Sequence, residues 1–197
     1  EFLNDSVIEF FIKDLQYKMK PEVAERCYIF NSFFYEKLTN VRDEQSEPAD
    51  VRQKKAHERV AKWTKGVNIF EKDFVFFPIH NNVHWSLVVL CHPGRVQQAD
   101  VIDVDGASAS LNQVPSPFLL HFDSMSGGHK TTFVSARLRE YLAMEWLQLN
   151  PNTKPKQAKE GEVTLLKFTK DGLPSKRMKV PQQDNGCDCG VFLCMFF

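Results

Sequence analysis

"VPQQDNGCDCGVFLC", Val180–Cys194, crowds three of the chain's five cysteines into eight positions. A polar, irregular run through Gln182, Asp184 and Asn185 gives way to the apolar "GVFLCMFF" (Gly190–Phe197), which predicts a turn feeding a helix. Cys189 sits at that junction, where a helix dipole lowers a thiol pKa. The competing reading is a small apolar residue filling a core. Cys194, among Val191, Leu193 and Phe197, reads as core, and Cys187 as a bystander. C-x-C-x4-C lacks the paired Cys/His elements of a structural zinc site. His80 and His84 stand four apart, but on a strand–turn–strand pattern. No metal and no cofactor are expected.

The rest of the chain bounds the classes available. It has 197 residues, 43% of them hydrophobic, with seventeen Phe, enough for one domain with a substantial core. Twenty-five basic residues balance twenty-five acidic ones, so no overall field selects nucleic acid or a membrane as partner. No apolar run is long enough to span a bilayer. Five unevenly spaced cysteines argue against a disulfide framework and for a reducing compartment.

Periodicity places the elements. Phe2–Met19 carries Val7, Ile8, Phe11, Ile12 and Leu15 at helical spacing, with Asn4 or Asp5 as cap. Tyr28–Thr39 reads as an aromatic-rich helix, or as a strand running into one. Val51–Lys65 holds six Lys/Arg against one Glu and reads as a basic surface helix, a solvated face or a docking surface. Phe74–Ile79, His84–Cys91 and Phe118–Ser124 read as strands, and Thr131–Leu149 as an amphipathic helix. The Gly/Pro/Ser-rich segment after Cys91 reads as a surface loop, and "VTLLKF" (163–168) as a short strand. Strands in the middle and helices at both ends predict an α+β fold.

Thiol acyl transfer needs a thiolate, an imidazole to activate it, a polar group to orient the imidazole, and donors for the oxyanion. His84 opens a strand, Asp123 closes one, and Cys189 begins a helix. Each alone is ordinary: a packed histidine, a turn aspartate, a core cysteine. The combination is what points to nucleophilic catalysis.

The blocks "PQQDNGCDCG" (Pro181–Gly190), "HW" (His84–Trp85), "FDS" (Phe122–Ser124) and "FLND" (Phe2–Asp5) together resemble the SUMO-specific (sentrin-specific) cysteine proteases of the ubiquitin-like-protease family. The blocks stand in the family's order and nearly span the chain. The resemblance implies a papain-like α+β domain, a central mixed sheet flanked by helices. It implies that His84 is the general base, Asp123 its orienting partner and Cys189 the nucleophile. Gln183 matches the glutamine that binds the oxyanion. Trp85 matches a tryptophan roofing the tunnel for the substrate's Gly-Gly tail. Phe2 stands where most members carry a second tunnel Trp.

The resemblance further implies a SUMO isopeptidase acting on SUMO conjugates or poly-SUMO chains, as a monomer, in the nucleus and also the cytoplasm. Inserts near 41–65, 91–117 and 150–178 resemble the branch that trims poly-SUMO chains. The family's domain usually continues past the helix that follows Cys189, so residues 1–197 are expected to be one catalytic domain cut short at its C-terminus. Two alternatives stay open: the same fold acting on another modifier such as Nedd8, and an inactive SUMO-binding module.

Overall fold

A computed structural model describes residues 2–40, 46–100, 116–152, 156–157, 163–164 and 168–197. In chain order the elements are helices α1 (Asp5–Lys18) and α2 (Pro21–Ala24), strand β1 (Cys27–Ile29), helices α3 (Phe34–Thr39) and α4 (Ala49–Val60), and strands β2 (Phe74–Asn81), β3 (His84–Cys91) and β4 (Phe118–Phe122). They are followed by α5 (Thr131–Leu149), β5 (Lys156–Gln157), β6 (Val163–Thr164), β7 (Ser175–Arg177) and α6 (Cys189–Phe196). Most of the expected loop after Cys91, 101–115, lies outside the described residues.

The main sheet runs β1-β2-β3-β4-β7. β3 pairs antiparallel with β2 and β4, while the two edge strands pair parallel. All eight residues of β3 are buried, because both faces of this central strand are covered. Alternation sorts its side chains between two cores. Val88 and Leu90 join Phe77, Ile79 and Leu119 against Phe34, Leu138 and Tyr141 of α3 and α5. Trp85, Leu87, Val89 and Cys91 face the other way, against Ile8 and Ile12 of α1 and Cys189 and Leu193 of α6. The helix that starts at Cys189 is therefore seated on the strand that starts at His84. The result is an α+β, papain-like sandwich with a central mixed sheet between helical layers. Among the described residues, no helix is long and apolar enough to cross a membrane.

Several elements differ in detail from these expectations. In α1, Asn4 is the cap, its Oδ1 accepting from Val7 N at 3.1 Å, and Ile8 and Ile12 are buried, but Val7 faces solvent. Tyr28–Thr39 resolves as β1 and then α3, the second of the two options. The basic stretch forms α4 and a 3-10 turn at Ala61–Thr64, yet it is not simply a solvated face. Gln53, His57 and Val60 form a buried stripe, and His57 Nε2 lies 2.7 Å from Glu145 Oε2 of α5. Two of those three residues are polar, which hid the stripe from a hydrophobic-pattern reading. The short strand expected at 163–168 appears as β6, paired with β5, at its first two residues; 165–167 lie outside the described residues. The edge strands β1 and β7 are three residues each, too short for alternation to register.

The β2–β3 hairpin is closed by Asn82 and Val83, at φ 51° and 58°. Two positive φ values match the right-handed twist of the strands, but a β-branched residue is strained there. Val83 is exposed, so its side chain contributes little packing. Val83→Asn is expected to raise stability by roughly 0.5–1 kcal/mol, part of the cost of a left-handed non-glycine residue. Thermal denaturation against the parent chain would measure it.

Candidate active site

The stretch "PQQDNG" is stitched to the end of β4. Gln183 N donates to Ser124 O at 2.8 Å, and Ser124 Oγ donates to Gln183 Oε1 at 2.7 Å. Gln182 Nε2 donates to Asp123 O at 3.1 Å. Asn185 then shapes the turn into α6: its Oδ1 accepts from Cys187 N at 2.9 Å and Asp188 N at 3.0 Å. Such side-chain capture of backbone N–H groups is what asparagine does in tight turns. The next residue is Cys189, buried at the first position of the helix.

Three of the expected residues meet here. His84 Nε2 lies 2.8 Å from Asp123 Oδ1. His84 Nδ1 is buried with no formed hydrogen bond, and the Cys189 thiol is near enough for each group to shift the other's pKa. Asp123 is fully buried. It is held by Met125 N at 3.0 Å, by His129 N at 2.8 Å, and by Arg177 Nη2 at 3.5 Å.

The electrostatics separate the cysteines. Burial alone raises Cys194, and it pushes Cys91 up to about 11; it also dominates the rise at Cys27. Burial acts against ionisation of Cys189 too, but the His84 imidazole and the backbone N–H groups of Trp85 and Gly190 outweigh it, and the net shift is downward. For His84, burial works to lower the pKa, while Asp123 and the thiolate raise it to about 9. Asp123 would be raised by burial, yet His84, the Met125 N–H and Arg177 hold it below its ordinary value. Each shift favours the charged form of its group: a thiolate beside an imidazolium beside a carboxylate.

Trp85 is buried, donates from Nε1 to Leu3 O at 3.2 Å, and stacks on His80 at 4.2 Å. Phe2, one residue before Leu3, is 59% exposed. Gln183 Nε2 donates one N–H to Asn185 O at 2.7 Å. An amide nitrogen carries a second.

Sequence reading did not single out Gly128 or His129. A Cβ on Gly128 would stand 2.6 Å from Asp123 Oδ2 and 2.7 Å from His84 Nε2, so only glycine fits there. "SGGHK" offered a turn signal but no clue to its target. His84, Asp123 and His129 are also the group among the described residues whose ligand atoms lie within 4.8 Å of one another, as a metal would need. His84 Nε2 and Asp123 are already paired, and both His129 nitrogens are engaged, with Ser86 and with Asn81 O.

The whole chain, residues 1–197, matches the family described as "Ulp1 protease family, C-terminal catalytic domain". The chain belongs to that family. It is 35% identical over 192 residues to the probable ubiquitin-like-specific protease 2A of Arabidopsis thaliana, covering 98% of this chain and 22% of the relative. It is 33% identical over 239 residues to human sentrin-specific protease 7, covering 100% of this chain and 22% of the relative. The chain thus spans under a quarter of the length of these relatives. Among solved structures, a de-sumoylating protease superposes with a TM-score of 0.67 at 21% identity, over 99% of this chain and 60% of that one. A Ulp1 protease domain in complex with Smt3, the yeast ortholog of SUMO, superposes at 0.56 and 24% identity, over 99% and 63%.

Two outcomes follow from the geometry. Alkylation of Cys189 by iodoacetamide should persist well below the thiol's ordinary range, because its pKa is lowered. His84→Ala removes the largest cause of that lowering, so the reaction should then need alkaline pH; a pH series read by mass spectrometry decides it. Gly128→Ala should force His84 and Asp123 apart and slow alkylation at pH 7 on the order of tenfold, one unit of thiol pKa. The same assay, beside circular dichroism for folding, reads that loss.

Proposed function

We propose that this chain is the catalytic domain of a deSUMOylating cysteine peptidase, an isopeptidase that hydrolyses the bond after the SUMO C-terminal Gly-Gly. One observation carries the reading: in the family's chain order, an imidazole, a buried carboxylate and a thiol of lowered pKa converge at one end of the sheet's interior strands. The family match over the whole chain supports it, as does a similar fold described in complex with a SUMO ortholog.

The roles then follow from chemistry. Cys189, as thiolate, attacks the carbonyl carbon of the terminal glycine. The Gln183 amide and main-chain N–H groups stabilise the oxyanion. The His84 imidazolium gives its proton to the departing lysine amine, leaving a thioester. Neutral His84 next takes a proton from water, whose oxygen displaces the thiolate and releases the SUMO carboxylate. Asp123 keeps the imidazole oriented and stabilises its charge. Trp85 roofs the slot for the Gly-Gly tail, and the exposed Phe2 flanks its mouth. Only residues without side chains thread such a slot, which holds the carbonyl in attack geometry.

In this reading residues 1–197 are one catalytic domain, and its inserts turn it toward trimming poly-SUMO chains. The nuclear setting, with cytoplasm beside it, rests on family resemblance alone.

SUMO, Nedd8 and ubiquitin, each carrying an electrophilic trap at the C-terminal glycine, would test this. The expected result is an adduct on Cys189 with SUMO only, lost in Cys189→Ser. An adduct with Nedd8 alone would replace the substrate. SUMO binding without any adduct would replace the enzyme by a binding module.

A further inference from the structure

Behind the His84–Asp123 pair runs a buried chain of polar side chains that the catalytic steps do not use. Thr131 Oγ1 lies 2.7 Å from His121 Nδ1. His121 Nε2 lies 3.0 Å from Ser86 Oγ. Ser86 Oγ lies 2.7 Å from His129 Nδ1, and His129 Nε2 lies 3.0 Å from the carbonyl oxygen of Asn81. Ser86, His121 and His129 are all buried. They come from β3, β4 and the loop before α5, and the chain ends on β2.

The direction of every bond is set by its last member. A carbonyl only accepts, so His129 Nε2 carries a hydrogen. A neutral His129 then accepts at Nδ1, and Ser86 must donate to it. The Ser86 oxygen therefore accepts from His121 Nε2–H, so His121 Nδ1 accepts from the Thr131 hydroxyl. Every donor and acceptor is used once, and both imidazoles are neutral. Burial drives both the same way: it lowers His129, and it takes His121 to about 4.

His129 is where this chain reaches the site. Its ring centroid lies 4.7 Å from that of His84, and its backbone N–H holds Asp123 Oδ2. We propose that Thr131, His121, Ser86 and His129 are positioning residues, a one-way hydrogen-bond chain that holds a neutral ring against His84 and its amide on Asp123. The inference deepens the thiol-protease reading and rests on it.

The charge logic is specific. His84 is the cation of the resting state. Facing His129 are His84 from β3, Asp123 after β4, His80 from β2, His121 from β4, and Arg177 from β7, whose Nη1 donates to His129 O at 3.4 Å. A proton on His129 would put a second cation against His84. It would lower the His84 pKa and so raise that of Cys189. Without the Thr131 donor, His121 is free to carry its hydrogen on Nδ1; the Ser86 hydroxyl then turns to His121 Nε2, and His129 has to donate at both nitrogens or lose a bond. Reversal thus favours the protonated, disruptive form.

Thr131 is the place to test this, because it is only half-buried and lies at the opposite end of the chain from His129. Thr131→Val keeps the shape and removes the first donor; Thr131→Ser restores a hydroxyl. The readout is the Cys189 alkylation rate at pH 6 and pH 8 in the folded full chain. With Thr131→Val the rate at pH 6 should fall about tenfold relative to the parent, one unit of thiol pKa. At pH 8, where His129 is neutral again, it should stay within about twofold on the same scale. Thr131→Ser should match the parent, and Ser86→Ala, if it folds, should repeat the Thr131→Val result. A merely structural role would lower the melting temperature and leave the pH 6 to pH 8 ratio unchanged; that ratio unchanged in folded Thr131→Val overturns the inference while the protease reading stands. No alkylation of Cys189 in the parent at either pH would overturn both.

Discussion

Asp123 is a fully buried carboxylate, and the site is organised around keeping it charged. A buried charge persists only when it is paired and hydrogen-bonded. Here one oxygen takes His84 Nε2 and Met125 N, and the other takes His129 N and faces Arg177. These groups come from β3, from the loop after β4 and from β7. Asp123 also accepts, through its backbone carbonyl, the Gln182 amide that leads into the nucleophile's turn. Removing this carboxylate would leave an unbalanced imidazolium and loosen three segments at once. The room for it exists because Gly128 has no side chain.

The sheet carries this cluster to the helix. β3 is buried on both faces, and its first residue is His84. The residues alternating toward α6 fix the angle at which Cys189 arrives, since Cys189, Leu193, Leu87 and Trp85 share one core. Close packing transmits position with little slack. A strand end and a helix start, remote in sequence, are thereby held within interacting range. The thiol gains a lowered pKa from that placement, whereas Cys91, buried without charged neighbours, is pushed the other way. Two cysteines of one core differ in chemistry because one faces an imidazole and two N–H groups.

Much of this was legible in the residues. The central strands, the amphipathic helix α5 and the N-terminal helix with its Asn4 cap follow from period and capping chemistry, which act over a few neighbours. The blocks holding His84, Asp123, Gln183 and Cys189 were legible as a family resemblance, and the chain's match to that family bears the resemblance out. Less legible were β1 and β7, too short to alternate, and the buried stripe of α4, in which Gln53 and His57 stand where a pattern reader looks for aliphatics. His57 is inside only because Glu145 of a distant helix meets it.

The class of fold, the turn into α6 and the residue types available for thiol chemistry can all be read from neighbouring residues. These are local properties of period, capping and composition. Packing between distant segments is what raises the pKa of His84 while it lowers those of His121 and His129, although all three are buried histidines. A histidine's charge depends on which groups lie within a few ångströms of its ring, and that is set by the packing of strands and loops far apart in the chain.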